Sequence, residues 1–356
     1  MAKSKQNNDL IKLNAEQTIR AAQLMIRNRL NFLVVGAPGV AKTAVLEKAS
    51  SLESQELIVF HPVISDPTDF KGMPAIMKVP DDAGSETKFL AQFVPFDNLK
   101  RLLTATKPTV AFADDLGQAP PMVQAAWIQL VLARKLDDKV VSDNITFVSA
   151  SNRKEDKAGV QGILEPLKSR FVSIVELIVD KDIWLKWART EEAGIHPYVR
   201  AFIQTRGLDM LWSFSASNDM TNSPSPRTVE HVSKILWASP DPDIRGTLIA
   251  GAAGGAFATE FEAFIRVVKN LPKMKAIIEH PDKCPVPSDT EPSAQYAIVE
   301  AMLDNANKKI IEPFLIYISR FKPEFQQWFT SQLKEYKPEC TKTAAYATWA
   351  AKAGIK

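Results

Sequence analysis

The sequence has few of the residues from which metal clusters and disulfide frameworks are built. It contains two cysteines and four histidines in 356 residues. Cys284 and Cys340 cannot form a metal cluster by themselves, and the scattered histidines show no metal-binding spacing. Because the two cysteines are far apart in the chain, we expect free thiols. No Cys–His or Ser–His pattern indicates a hydrolase nucleophile.

The sequence also has a small net charge and no long apolar run. With 44 Lys and Arg against 41 Asp and Glu, the formal charge is +3, and the basic residues are evenly spread. That balance gives no support for a nucleic-acid or membrane surface. The longest run of small apolar residues, 248–258, is too short to span a membrane. The N-terminus lacks the apolar core of a signal peptide, so we expect a cytoplasmic protein.

The pattern of apolar runs predicts the fold class. A chain of 356 residues, at about 150 residues per domain, predicts two or three domains. Short apolar runs separated by helical patterns predict strands at 31–35, 57–60, 109–113, 145–149 and 172–177. We therefore expect an α/β fold: a doubly wound, parallel, five-stranded sheet with helices on both faces.

The remaining segments complete the predicted organisation. A capping box at Asn14 opens a helix after a flexible N-terminus of residues 1–13. The α/β domain covers 14–178. An all-helical lid covers 179–280, and a C-terminal helical extension covers 281–356. Within the extension, 282–292 has linker composition, and the last helices are expected at 298–319, 324–336 and 344–352.

Residues 36–43 match the phosphate-loop pattern G-x-x-x-x-G-K-[ST] at all but one position. They follow a predicted strand and precede a predicted helix, which is the context that this pattern requires. Backbone N–H groups would wrap the phosphates, Lys42 would contact the β- and γ-phosphates, and Thr43 would bind Mg²⁺. Ala41 replaces the usual glycine and fits if it has helical dihedrals. The predicted nucleotide-binding residues are Gly36, Ala37, Pro38, Gly39, Val40, Ala41, Lys42 and Thr43.

Polar residues at the ends of two other predicted strands complete this site. Asp114 and Asp115 follow the apolar run at 109–113, and Asp114 is the candidate carboxylate for Mg²⁺. Asp115 is the candidate general base for the attacking water. Asn152, after the next strand, could orient that water, although asparagine at a strand end is also common in turns.

Taken together, these segments resemble the MoxR-type AAA+ ATPases of bacteria and phages. The resemblance runs in order over roughly residues 14–240. It rests on the loop at 36–43, the stretches 61–72 and 114–126, and the segments 149–153, 167–171 and 223–227. The Ala41 form of the loop is typical of that family, whereas Asp115 stands where a glutamate is usual.

The resemblance implies an ATPase that binds ATP and Mg²⁺ between the subunits of a ring, usually a hexamer. Arg170 would then contact the γ-phosphate of the neighbouring subunit, with Arg153 as a second candidate. Asn152 corresponds to sensor 1 and Arg227 to sensor 2 at the start of the lid. Because aspartate is one methylene shorter than glutamate, Asp115 either acts as the base or makes hydrolysis slow.

The resemblance further implies a machine that remodels or activates a protein client, with a von Willebrand A-domain protein as adaptor. Two alternatives stay open: a DNA-associated AAA+ loader or phage replication factor, and a slow nucleotide-gated scaffold. Two expected hairpins, at 75–92 and near 135–140, resemble inserts of this family. Such hairpins can line a pore or face a partner, and the alternative interpretation is that both are solvated loops.

Overall fold

The computed structural model describes residues 10–80, 87–136, 139–156, 162–215 and 219–354. The chain divides into two compact units, Met1–Val179 and Asp180–Lys356. Within the described ranges, no helix has the length and apolar character needed to cross a membrane.

The first unit alternates strands and helices. Its elements are β1 (Ile11–Leu13), α1 (Ala15–Arg27), β2 (Phe32–Val35), α2 (Lys42–Leu52), β3 (Glu56–Phe60), α3 (Pro67–Lys71), β4 (Met73–Pro80), β5 (Thr87–Val94), α4 (Asp97–Thr104), β6 (Thr109–Ala113), α5 (Pro121–Ala133), β7 (Lys135–Leu136), β8 (Lys139–Val140), β9 (Ile145–Ser151), α6 (Glu165–Lys168) and β10 (Ser173–Leu177). The capping box predicted at Asn14 is confirmed, since its side chain accepts from Gln17 N and the Gln17 side chain accepts from Asn14 N.

The central sheet is parallel and has the strand order β1-β10-β2-β9-β6-β3. The predicted α/β class and the five predicted strands are confirmed. A sixth strand, β1, pairs with β10 at one edge, within the segment that we expected to be flexible. Three residues are too few to show a period, so only the pairing with β10 reveals this strand.

Both faces of the sheet are covered by helices. On one face, alternate strand residues such as Leu33, Ile58 and Phe147 join a core with α3, α4, α5 and α6, centred on the fully buried Trp127. On the opposite face, α1 and α2 pack together. There the Thr146 hydroxyl donates to the carbonyl of Ile26 in α1, at 3.5 Å. Parallel strands buried on both faces require such cover, which explains their continuous apolar runs.

Both expected hairpins are present. β4 pairs antiparallel with β5, and β7 pairs antiparallel with β8. Residues 81–86, which include the turn expected at 81–84, and residues 137–138 lie outside the described residues. Large apolar side chains are exposed on both faces of the first hairpin, including Ile76 and Phe89 on one face and Met73 and Leu90 on the other.

The second unit is helical. Its elements are α7 (Lys181–Ala188), α8 (Pro197–Arg206), α9 (Leu208–Leu211), α10 (Pro226–Trp237), α11 (Pro242–Ala253), α12 (Gly255–Val268), α13 (Met274–Glu279), α14 (Pro292–Asn305), α15 (Ile311–Ile318), α16 (Pro323–Tyr336), α17 (Pro338–Thr341) and α18 (Ala344–Ala353). α14 packs against α8 and α12, within one unit. The division into lid and extension stays a prediction.

Two expectations about this unit are settled by local contacts. The prediction of a single helix at 298–319 is wrong, because the chain turns at Asn307, between α14 and α15. Its side chain accepts from Lys309 N at 2.9 Å, and such asparagine turns compete with helix. Cys284 and Cys340 are free, as expected, and both are buried.

The core of the first unit makes a direct prediction about stability. Leu130 and Leu132 lie two positions apart in α5, but Leu130 is fully buried and Leu132 is 50% exposed. Leu130→Ala should lower the free energy of unfolding by about 2–5 kcal/mol, because it leaves a cavity. Leu132→Ala should lower it by less than about 1 kcal/mol. Urea unfolding of the two variants measures the difference, and equal losses would contradict this packing.

Candidate functional site

The predicted phosphate loop lies at the carboxyl end of β2, a strand in the interior of the sheet. β10 and β9 flank β2 on its two sides. Gly36 N donates to Ser151 O at 3.1 Å, which fixes the start of the loop against the end of β9. In parallel α/β sheets, ligands bind at this carboxyl edge, where helix N-termini also converge. The loop is therefore placed where a nucleotide phosphate could be bound.

Two residues of the loop have left-handed backbone conformations. Gly39 has φ 81°, and Ala41 has φ 75° and ψ 32°. Ala41 therefore does not have the right-handed helical dihedrals under which alanine would fit this position without strain. The chain turns sharply at the residue before Lys42 to enter α2, and a glycine would adopt that conformation without strain. For alanine it costs about 1 kcal/mol or more.

The first turn of α2 presents backbone N–H groups to the loop. The first intrahelical bond is the one that Val45 N donates to Ala41 O, at 3.0 Å. The N–H groups of Lys42, Thr43 and Ala44 precede it and have no helical acceptor. Together with the positive end of the helix dipole, such groups form an anion-binding site.

The ammonium of Lys42 lies between the loop and the end of β9. It donates to the carbonyls of Gly36 and Ala37, each at 3.0 Å, and to Asn152 Oδ1 at 2.6 Å. The side chain is buried. A buried ammonium needs such acceptors, and phosphate oxygens would be stronger ones. Lys42 therefore points at the space that the loop encloses.

Thr43 and Asp114 form the donor pair expected for Mg²⁺. The Thr43 hydroxyl donates to Asp114 Oδ2 at 2.9 Å. The other carboxylate oxygen of Asp114 accepts from Asp115 N at 3.1 Å, and Asp114 N donates to Phe60 O at 3.0 Å. Mg²⁺ is usually held by one or two carboxylates, with water and phosphate oxygens as the other ligands. One hydroxyl and one carboxylate fit that donor set. In the ranges that the structure describes, no cluster of three or more His, Cys, Asp or Glu side chains offers an all-protein metal site.

Asp115 and Asn152 are hydrogen-bonded to each other. Asn152 Nδ2 donates to Asp115 Oδ1 at 3.1 Å, while its Oδ1 accepts from Lys42. Asp115 has φ 55° and ψ 35°, a conformation that aspartate tolerates better than most residues. The buried amide of Asn152 thus connects the candidate phosphate-binding lysine to the candidate base.

The two candidate arginine fingers have different surroundings. Arg153 donates to Asp156 at 2.6 and 2.9 Å and to Glu176 at 2.8 Å, and both carboxylates are buried. Hydrogen bonds and charge attraction from these partners, chiefly Asp156, raise the pKa of Arg153. Arg170, two residues after α6, is exposed, and its guanidinium makes no hydrogen bond or ion pair with a described residue. Of the two, Arg170 is the one that could contact another subunit.

Arg227 belongs to the second unit. It is exposed in the first turn of α10, within the capping box that Ser225 and Thr228 form. The predicted sensor 2 role of Arg227 stays a prediction. Within the first unit, the structure brings the loop, Asp114, Asp115 and Asn152 together at one edge of the sheet.

Several residues that support this site escape prediction from the sequence. Ser151 anchors the loop through its backbone carbonyl, a contact that any residue could make. Gln124 is buried and bonds to three backbone groups of two loops. A polar residue within the apolar pattern of α5 was a signal for Gln124, but its partners depend on the tertiary fold.

Comparisons with known proteins give weak likenesses. No protein-family model and no curated protein matches the sequence. Among solved structures, a point mutant of RuvB from Thermotoga maritima aligns with a TM-score of 0.41 at 17% identity, covering 85% of this chain and 86% of that one. NtrX from Brucella abortus in complex with ADP aligns with a TM-score of 0.42 at 13% identity, covering 96% of this chain and 68% of that one. At these values, no argument rests on either likeness.

Because Ala41 is left-handed, we expect substitution by glycine to change the free energy of unfolding in opposite directions at Ala41 and Ala49. Ala41→Gly should raise the free energy of unfolding by about 0.5–1 kcal/mol, because relief of strain exceeds the added entropy of the unfolded chain. Ala49→Gly, in the buried middle of α2, should lower it by about 1 kcal/mol or more. Urea unfolding of both variants measures the effects. A loss of stability in Ala41→Gly would show that residue 41 is not left-handed.

Proposed function

We propose that this protein is an ATPase of the AAA+ class, of the MoxR-like branch, and that it binds Mg·ATP at residues 36–43. The observation that carries the proposal is the set of hydrogen bonds at one sheet edge, where Lys42 bonds to Asn152, Asn152 to Asp115, and Thr43 to Asp114. These are the residue types that nucleotide hydrolysis requires, at the end of three parallel strands.

The proposed binding of ATP uses groups already aimed at the loop. The N–H groups at the start of α2 would bind the phosphates, and Lys42 would exchange a carbonyl or amide acceptor for a phosphate oxygen. Thr43 and Asp114 would hold Mg²⁺, Asp114 through water. When bound, the ion would neutralise the charge that develops on the phosphate oxygens.

The proposed hydrolysis places Asp115 as the general base and Asn152 as the group that orients the water. The carboxylate and the amide are hydrogen-bonded, so a water in place of that contact could reach both. Aspartate is one methylene shorter than the glutamate usual in this family. We therefore expect slow turnover.

We also propose a ring, most simply a hexamer, with ATP bound between subunits. The exposed Arg170 would stabilise the charge on the γ-phosphate in the neighbouring site, and Arg227 would couple the second unit to the nucleotide of its own chain. The resemblance supports a cytoplasmic machine that remodels a protein client through a von Willebrand A-domain adaptor. The apolar residues exposed on both faces of the β4–β5 hairpin are compatible with a protein contact.

Removal of the Lys42 ammonium tests the site assignment. Lys42→Ala should weaken binding of a fluorescent ATP analogue by about 10- to 100-fold, because it removes a charge-assisted hydrogen bond to phosphate. Phosphate release should fall to background. Lys48→Ala, an exposed position of the same helix, serves as the control and should keep both properties. Unchanged turnover in Lys42→Ala would reject this site.

Variants of the two arginines should have separable effects. Arg170→Ala should lower phosphate release by a factor on the order of 1,000 without changing stability, because its side chain is exposed and has no described partner. Arg153→Ala should lower the free energy of unfolding by about 3 kcal/mol, because Asp156 and Glu176 lose their main partner. Steady-state kinetics and urea unfolding distinguish the two effects. Normal turnover in Arg170→Ala would contradict its assignment as the finger.

A further inference from the structure

The side chain of Gln124 lies between the loop that carries Asp115 and the segment that leads to Arg170. It is 1% exposed, in the first turns of α5. Its Nε2 donates to Ala119 O at 3.1 Å and to Gly162 O at 2.8 Å, and its Oε1 accepts from Leu164 N at 3.1 Å. Both amide hydrogens and an oxygen lone pair are thus used by backbone groups.

The first of these two segments is packed tightly against the site. Residues 116–118 form a short 3₁₀ turn directly after Asp115. At Gly117, an added Cβ would come within 2.2 Å of Ser151 Oγ, so the turn lies directly on the end of β9, next to Asn152. On its other side, Gly117 O accepts from Gly162 N at 3.3 Å. A displacement of Asp115 or Asn152 would therefore reach residues 162–164.

The second segment fixes the position of Arg170. Leu164, whose N–H donates to Gln124, is the N-cap residue of α6, and its carbonyl accepts from Leu167 N at 2.9 Å. Leu167 is buried in the core, and its carbonyl accepts from Arg170 N at 3.0 Å. A series of three hydrogen bonds, through Leu164 and Leu167, thus connects the Gln124 side chain to the backbone of Arg170. The guanidinium of Arg170 is the exposed end of that series.

We propose that Gln124 is a positioning residue that sets the place of Arg170 according to the state of the Asp115 loop in the same chain. Nucleotide bound in one subunit would shift Asp115 and Asn152. Gln124 would transmit the shift to α6 and so to the site of the neighbouring subunit. This inference rests on the proposed ring in which Arg170 acts on a neighbour. It assigns Gln124 no contact with ATP, and a misplacement of about 1 Å at the finger is enough to lower a rate about 100-fold.

Gln124→Met tests the proposal with little change of volume. It removes all three hydrogen bonds, and we expect phosphate release to fall 10- to 100-fold while affinity for a fluorescent ATP analogue stays within about threefold. Gln295→Met is the matched control. Gln295 is also buried, occupies the same position after an N-terminal proline in α14, and also bonds to a neighbouring loop. Its variant should keep normal turnover, and a comparable loss there would show a general effect of removing a buried amide.

Mixed rings separate an effect on the neighbour from an effect on the variant's own site. At a saturating ATP concentration, Lys42→Ala subunits still bind nucleotide but do not hydrolyse it, and they keep both Gln124 and Arg170. Added to Gln124→Met subunits, they should raise phosphate release, because an intact site then faces an intact finger. Arg170→Ala subunits mixed with Lys42→Ala should show the same rise.

The mixtures also distinguish a missing role of Gln124 from the absence of a trans-acting finger. A rise with Arg170→Ala but none with Gln124→Met would overturn the role of Gln124 and leave the ring proposal standing. No rise in either mixture would overturn the trans-acting finger, and the inference with it.

Discussion

The hydrogen bond between the Lys42 ammonium and the amide oxygen of Asn152 joins the two halves of the candidate site. At 2.6 Å, it links the start of α2 to the end of β9. Lys42 belongs to the candidate nucleotide-binding loop, whereas Asn152 also bonds to Asp115, the candidate base. The parallel arrangement of β2, β9 and β6 places the ends of these strands side by side, which makes the contact possible.

Burial strengthens the hydrogen bond between Lys42 and Asn152. Because a buried ammonium needs acceptors, phosphate oxygens could also replace Asn152 in that role. An ammonium out of water must have acceptors, and Lys42 takes two from its own loop and one from Asn152. Phosphate oxygens would replace neutral acceptors by charged ones. In the proposed function, a turn of Lys42 toward a phosphate would break its bond to Asn152, which is also bonded to Asp115. This is the means by which we propose that the site senses the γ-phosphate.

The elements that could be predicted from the sequence are those determined by local chemistry. The capping box at Asn14, the apolar run at 109–113 and the loop at 36–43 each have a signal within a few residues. Positions that depend on the tertiary fold could not be predicted. The strand at 11–13 and the bonds of Gln124 to Gly162 and Leu164 each depend on a partner far away in the sequence. The sequence also did not show how each arginine is used. Arg153 is bound to buried carboxylates, and Arg170 is exposed.

If this chain binds Mg·ATP and acts between subunits, Mg·ATP should change the mass of the particle in solution, which light scattering measures with and without the nucleotide. We expect Mg·ATP to shift the mass from smaller species to a ring of several subunits, most simply six. A mass of a single chain, about 39.5 kDa, under both conditions would contradict it.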